Sequence, residues 1–206
     1  MKSIALTASV ALAAFATPAF AQNDATSEDM GGLFVGAVVG YDHMKVETPT
    51  ENGNIDALLY GINASYDIDS GAGIFGIEAE ISDSTASESS DDLLTIGDRA
   101  SIGGGRDIYG GVRVGLQIDE SEAIYLKAGY TNKRFNFDYN DGATDFDFSD
   151  DLDGFRLGVG YETMLAGFTA RVEYRYSEYD ELEVLNAPTG VFTSNHQAAL
   201  VIGKRF

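Results

Sequence analysis

The sequence has no cysteine, no tryptophan and only 3 prolines in 206 residues. Without cysteine, neither a disulfide nor a thiolate metal centre can form. Proline removes a ladder donor wherever it stands, so its scarcity leaves long stretches free to pair as strands. Basic residues are also few: 13 Lys and Arg stand against 33 Asp and Glu, for a formal net charge of −20. Nucleic acid is thereby excluded as a partner, because binding it takes a basic surface that displaces counterions. Beyond the first residues there is no run of about 18 apolar residues, so no transmembrane helix is expected.

What is plentiful is glycine, at 24 residues, and tyrosine with phenylalanine, at 11 and 12. Hydrophobic residues make up 44%, too many for a disordered chain. The length suits one domain. Many glycines and aromatics with little proline favour strands and tight turns.

The first residues read as an address. Met1-Lys2 supplies a positive start, Ile4 to Ala16 an uncharged and mostly apolar core, and Ala19-Phe20-Ala21 a small-residue cleavage pattern. The apolar core is shorter than the roughly 20 residues a helix needs to cross a bilayer. The expected organisation is a signal peptide over 1–21, a flexible acidic lead-in over 22–30 and one folded domain over 31–206. The lack of cysteine suits an exported bacterial protein that needs no oxidative staples.

Period-two alternation then runs through eight segments: Leu33 to Tyr41, Leu58 to Tyr66, Phe75 to Ser82, Ile108 to Ile118, Ile124 to Thr131, Phe155 to Glu162, Phe168 to Tyr176 and Gln197 to Phe206. One face of each is hydrocarbon and aromatic; the other holds glycine, small polar residues and whole charges. The connections alternate as well. Short ones (Ile68 to Gly73, Asp119 to Glu122, Met164 to Gly167) take turns with long ones (Asp42 to Asp56, Asp83 to Asp107, Asp138 to Asp153, Ser177 to Asn195). This is the layout of an up-and-down barrel in an outer membrane, with tight turns on one side and long loops on the other. Hydrocarbon offers no hydrogen bonds, so a sheet can cross it only by closing on itself. The fold class expected is all-β, an eight-stranded antiparallel up-and-down transmembrane β-barrel. A soluble lipocalin-like barrel is the rival, but it would put the charges inside and show Leu, Val and Ile to water.

The inward face carries Glu78, Glu80, Arg113, Lys127, Arg156, Glu162, Arg171, Glu173 and Arg175. Eight strands leave an interior just wide enough for side chains to fill. The reading favoured for these charges is a structural plug of mutual pairs, with a narrow ion conduit as the alternative. Glu162 and Arg171 flank one tight turn and come within cross-strand reach. Glu78 and Glu80 lie on the strand next to that of Arg113.

Of the 33 acidic residues, 21 fall in the four long connections. The stretch from Asp145 to Gly154 resembles a calcium loop but fails in detail: its sixth position is Asp150 rather than Gly, and its twelfth is Arg156 rather than Glu. No specific metal site is expected, although loose divalent bridging to anionic lipid fits carboxylate chemistry. Catalysis would need a histidine-centred set. The chain offers only His43 and His196, with Ser194 at strand spacing from His196 and Glu183 in the same connection, which is too little to assign an enzyme.

The chain resembles the small bacterial outer-membrane β-barrel family, which includes the OmpA-type transmembrane barrel and the opacity-like "porin family" proteins. The resemblance rests on Ala19-Phe20-Ala21, the eight segments, the repeated pairs Gly40-Tyr41, Gly129-Tyr130 and Gly160-Tyr161, and the terminal segment His196 to Phe206. It implies that Phe206 serves as the signal read by the barrel-assembly machinery. It also implies outer-membrane lipids and lipopolysaccharide as surroundings, a monomer, and no cofactor. The OmpA type adds a peptidoglycan-binding domain after its barrel; the expectation here is the barrel alone. The function implied is structural or surface-exposed in the cell outer membrane. A narrow small-solute channel is the alternative, and a lipid-modifying enzyme a distant one.

Overall fold

Alternation of this kind places neighbouring side chains on opposite faces of a strand, and the architecture follows. The computed structural model describes residues 30–47, 52–91, 99–140, 145–181, 183–184, 187–188 and 190–206. The signal peptide expected at 1–21, and the lead-in apart from its last residue, lie outside the described residues.

The strands are β1 (Gly32–Glu47), β2 (Asn52–Asp69), β3 (Gly73–Ser84), β4 (Ser87–Asp91), β5 (Arg99–Asp119), β6 (Glu122–Asn140), β7 (Asp145–Leu165), β8 (Phe168–Tyr179), β9 (Glu183–Val184), β10 (Ala187–Pro188) and β11 (Phe192–Arg205). Eight of them close a cylinder in the order β3-β2-β1-β11-β8-β7-β6-β5, with β5 returning to β3. Every pairing is antiparallel. The first strand meets the last, and Leu33 and Phe206 exchange both backbone hydrogen bonds, at 3.1 and 2.8 Å. Strand β4 runs beside β5 above the end of β3, and β9 and β10 form a small ribbon between β8 and β11. The β7–β8 turn has Ala166 and Gly167 both at positive φ, 52° and 82°. That backbone twist matches a two-residue hairpin.

The outward face carries the hydrocarbon. Ile62, Ile77 and Leu126 are 64%, 64% and 60% exposed, while inward charged side chains such as Glu80, Arg156 and Arg175 are buried. On β2 the apolar face runs from Leu58 to Ile68. That is roughly 33 Å along the strand, or about 25 Å across at a tilt near 40°, the height of an outer-membrane apolar band. Its outer edge is sharp. Directly above Tyr41, Leu58, Ile108, Tyr130, Phe155 and Ala198 stand His43, Asp56, Arg106, Asn132, Asp153 and His196.

The long connections prove shorter than their composition suggested. Asp42, Asp56, Asp107, Asp138 and Asp145 to Asp153 all belong to strands, and β6 and β7 stay paired up to Asn140 and Asp145. Above the membrane both faces of a ribbon meet water. Period-two hydropathy therefore vanishes there, although the backbone ladder continues.

Inside, apolar side chains close both ends. Met30, Ile74 and Ala123 pack with Met164 at the short-turn end, and Met44, Ile55, Ala57 and Ala86 pack with Val46 and Phe135 at the other. Between them, Phe34, Val38, Leu59, Ala199 and Val201 line one inner wall. The rest of the lumen is ionic.

Candidate functional site

Each strand delivers its inward charges by the same period-two rule that turns its hydrocarbon out. Glycine makes room for them. A Cβ on Gly160 would stand 2.3 Å from the Tyr125 ring, and one on Gly111 would stand 2.2 Å from the Tyr109 hydroxyl. Tyr125 crosses the space above Gly160 to bond Glu173, and Arg113 stacks 4.1 Å from its ring centroid.

All nine charges picked from the sequence lie inside and are buried. Arg113 Nη2 lies 2.6 Å from Glu162 and its Nε 3.2 Å from Asp67. Arg171 bonds Glu162 at 2.7 Å and reaches Asn63, Ser65 and Asp67 on the opposite wall. Lys127 is held between Glu78 and Glu173. Arg175 forks onto Glu80 at 2.7 and 2.9 Å and takes Glu173 at 2.6 Å. Arg156 bonds Asp107 at 2.5 Å and stands 3.6 Å from Glu80. Glu162 and Arg171 are direct register partners, as their positions around the turn implied. Glu78 and Glu80 do not meet Arg113; they go to Lys127 and Arg175 instead.

Sequence reasoning left several members out. Asp42 and Asp107 were counted with the long connections, yet both are buried inside strands. Asp42 takes Lys133 at 3.2 Å and the side-chain amides of Asn195 and Gln197. Asp107 takes Arg156, Thr131 and Tyr179. Asp67 and Arg205 join at the short-turn end. The available signal was parity: each lies an even number of residues from a recognised inward position on its own strand.

With these included, the described lumen holds seven carboxylates (Asp42, Asp67, Glu78, Glu80, Asp107, Glu162, Glu173) and seven cations (Arg113, Lys127, Lys133, Arg156, Arg171, Arg175, Arg205). Each has an opposite charge within 4.0 Å. This paired set is neutral within a chain of net charge −20, and Asp69, at the short-turn end of the same face, adds a carboxylate held by Gln117. The least covered of the fourteen side chains, Arg205, is only 7% exposed. In low dielectric an unpaired charge is costly, and multiple partners offset that cost.

The outer rim is arranged differently. Arg134 grips Asp151 with two bonds, at 2.9 and 3.0 Å, and holds its carboxyl below the usual carboxylate range. Asp56 accepts from the Tyr41 hydroxyl at 2.6 Å and meets His43 at 2.5 Å, and it too is held below that range, chiefly by Tyr41. Ser194 and His196 share the outward face, but His196 Nδ1 bonds the Tyr174 hydroxyl at 2.7 Å and Ser194 serves Tyr176. The Glu183 side chain lies outside the described residues. The segment that resembled a calcium loop lies in strand β7, paired with β6 from Asp145 to Thr163, so it is an extended ladder and not a loop that wraps an ion. Among the described residues no three His, Asp or Glu side chains converge as a metal set.

Residues 7–206 match the family described as outer membrane protein beta-barrel domain. In fold, the chain is similar to Ail, the attachment invasion locus protein of Yersinia pestis, solved in complex with the heparin analogue sucrose octasulfate. The TM-score is 0.52 at 14% identity, over 86% of this chain and 100% of that one. It is also similar to Neisserial surface protein A, with a TM-score of 0.53 at 14% identity, over 85% and 97% of the two chains. At such identities the likeness is one of fold. No curated protein matches the sequence.

Proposed function

Because the chain belongs to the outer membrane protein beta-barrel domain family, we propose that it is a structural, surface-exposed protein of the cell outer membrane, with a sealed barrel that carries acidic strands and loops outward. One observation carries this reading: the lumen is filled by mutually paired charges with almost no accessible surface. A solute path would need room or water along these side chains, and eight strands leave little. The role itself calls for no catalysis: the rim histidines pair through Nδ1 with Asp56 and Tyr174, not with a nucleophile.

The surroundings proposed are outer-membrane lipids against the apolar band and lipopolysaccharide around the outer rim, with the barrel acting as a monomer. Phe206, 68% exposed on the outward face beside Leu33, is the residue proposed to be read by the barrel-assembly machinery. A heparin-like polyanion, the class bound to Ail, is not proposed here, because the external strands are themselves acidic.

The test is conductance. Purified protein inserted into planar bilayers is expected to give no resolved current steps. Reproducible steps that change when Arg175 or Glu80 is replaced would overturn the sealed-barrel reading in favour of a channel.

A further inference from the structure

The chain has two histidines, far apart in sequence, and barrel closure brings them together. The β1–β11 register sets His43 directly opposite His196. Both project outward, one step above the apolar band, with ring centroids 6.4 Å apart. Each ring is held through the same atom. His43 Nδ1 lies 2.5 Å from Asp56, which the Tyr41 hydroxyl braces at 2.6 Å. His196 Nδ1 lies 2.7 Å from the Tyr174 hydroxyl, and the Tyr176 ring packs against the same imidazole with centroids 5.1 Å apart. Fixing Nδ1 leaves Nε2, on the far side of each ring, to take a ligand.

That is how metal-binding imidazoles are prepared. A carboxylate or oxygen partner on one nitrogen selects the tautomer and raises the basicity of the other. We propose that His43 and His196 form a two-imidazole site for a borderline divalent cation (Zn²⁺, Cu²⁺ or Ni²⁺) on the outer rim of the barrel, with Asp56 and Tyr174 orienting the rings. Imidazole nitrogen favours these ions over Ca²⁺ and Mg²⁺, which seek oxygen. Metal–nitrogen bonds of about 2.0–2.1 Å would put two ring centroids roughly 5 Å apart around a tetrahedral ion. The rings must therefore close by only about 1 Å, within the reach of two side chains on a surface. Lys45, two residues along the same face, opposes a cation; Asp56, Glu47 and Glu178 on the outward face outweigh it.

The test titrates Zn²⁺ into the full chain folded in detergent micelles, by calorimetry, with excess Mg²⁺ present to occupy loose carboxylate sites. One Zn²⁺ per chain is expected. His43→Asn and His196→Asn should each weaken binding at least tenfold, the double variant should abolish it, and Asp56→Asn should weaken it about 10–100-fold, as loss of an orienting partner does. Cu²⁺ bound to the unaltered chain should show coupling to two imidazole nitrogens in its electron paramagnetic resonance spectrum. No binding, binding unchanged in the double variant, or a Cu²⁺ spectrum with only oxygen ligands would overturn the proposal. Heat-shifted mobility on gels checks that each variant has folded, and the Cu²⁺ spectrum decides independently of any variant.

Discussion

Glu162 and Arg171 face each other across the β7–β8 hairpin, Oε2 to Nε at 2.7 Å, and neither side chain has any exposed surface. Arg171 does more than serve this carboxylate. Its guanidinium reaches Asp67, Asn63 and Ser65 on the far wall and lies 3.8 Å from the centroid of the Phe34 ring. It is a strut across the lumen as well as an ion-pair partner.

Replacing Arg171 by Ala should therefore destabilise the barrel by about 3–5 kcal/mol, the usual cost of stranding buried partner charges. Arg113 and Arg205 still contact Glu162, which places the loss toward the lower end of that range. The midpoint of urea unfolding in micelles and the temperature at which the compact gel band converts both read the effect. An unchanged midpoint would mean that the lumen does not depend on this strut.

Gly160→Val should also destabilise the barrel, without removing any charge. The new Cβ would meet the Tyr125 ring at 2.3 Å, and that ring is fixed by Glu173 and Arg113. Overpacking of this kind costs about 1–3 kcal/mol. Gly110→Val is the control, since a Cβ there meets nothing within 4 Å. Equal refolding yields for the two variants would contradict the packing account.

On the lipid face the expectation reverses. Leu126→Arg places a cation on the middle of the apolar band, where it should cost about 2–4 kcal/mol in a bilayer. Leu126 is 60% exposed, so a protein in water would tolerate the change. Refolding into vesicles of defined thickness, compared with the parent chain, gives the difference directly. Full tolerance would place the band elsewhere.

Acid should loosen the outer ribbon at Asp151. Arg134 holds the Asp151 carboxyl below its ordinary value. A lowered folded pKa stabilises above the unfolded value, near 3.9. That contribution is lost as pH falls through the folded value. Carbon-detected titration of Asp151 should show a midpoint below about 3.9, returning toward it in Arg134→Gln. An identical midpoint in both chains would show that the pair contributes nothing.

Much of this molecule could be read from residue order. Side-chain direction along a strand has period two whatever the rest of the chain does. The set facing inward was therefore visible at Glu78, Arg113, Lys127, Arg156 and Arg175, and so was the hydrocarbon set facing outward. The signal failed where hydrocarbon ends. Asp42 and Asp107 looked like loop acids because their outward neighbours, His43 and Arg106, are polar.

Partner choice across the lumen was not legible, because it depends on closure; the hairpin pair Glu162 and Arg171 was legible, because one tight turn joins their strands. Which carboxylate meets Arg113 is fixed by strand tilt and register summed around the whole cylinder, and these carry it past Glu78 to Glu162. The same closure sets His43 beside His196. Alternation alone determined which side chains enter the lumen and which meet lipid. Only the closed cylinder, a global constraint that no local stretch contains, decided which charges touch across the lumen.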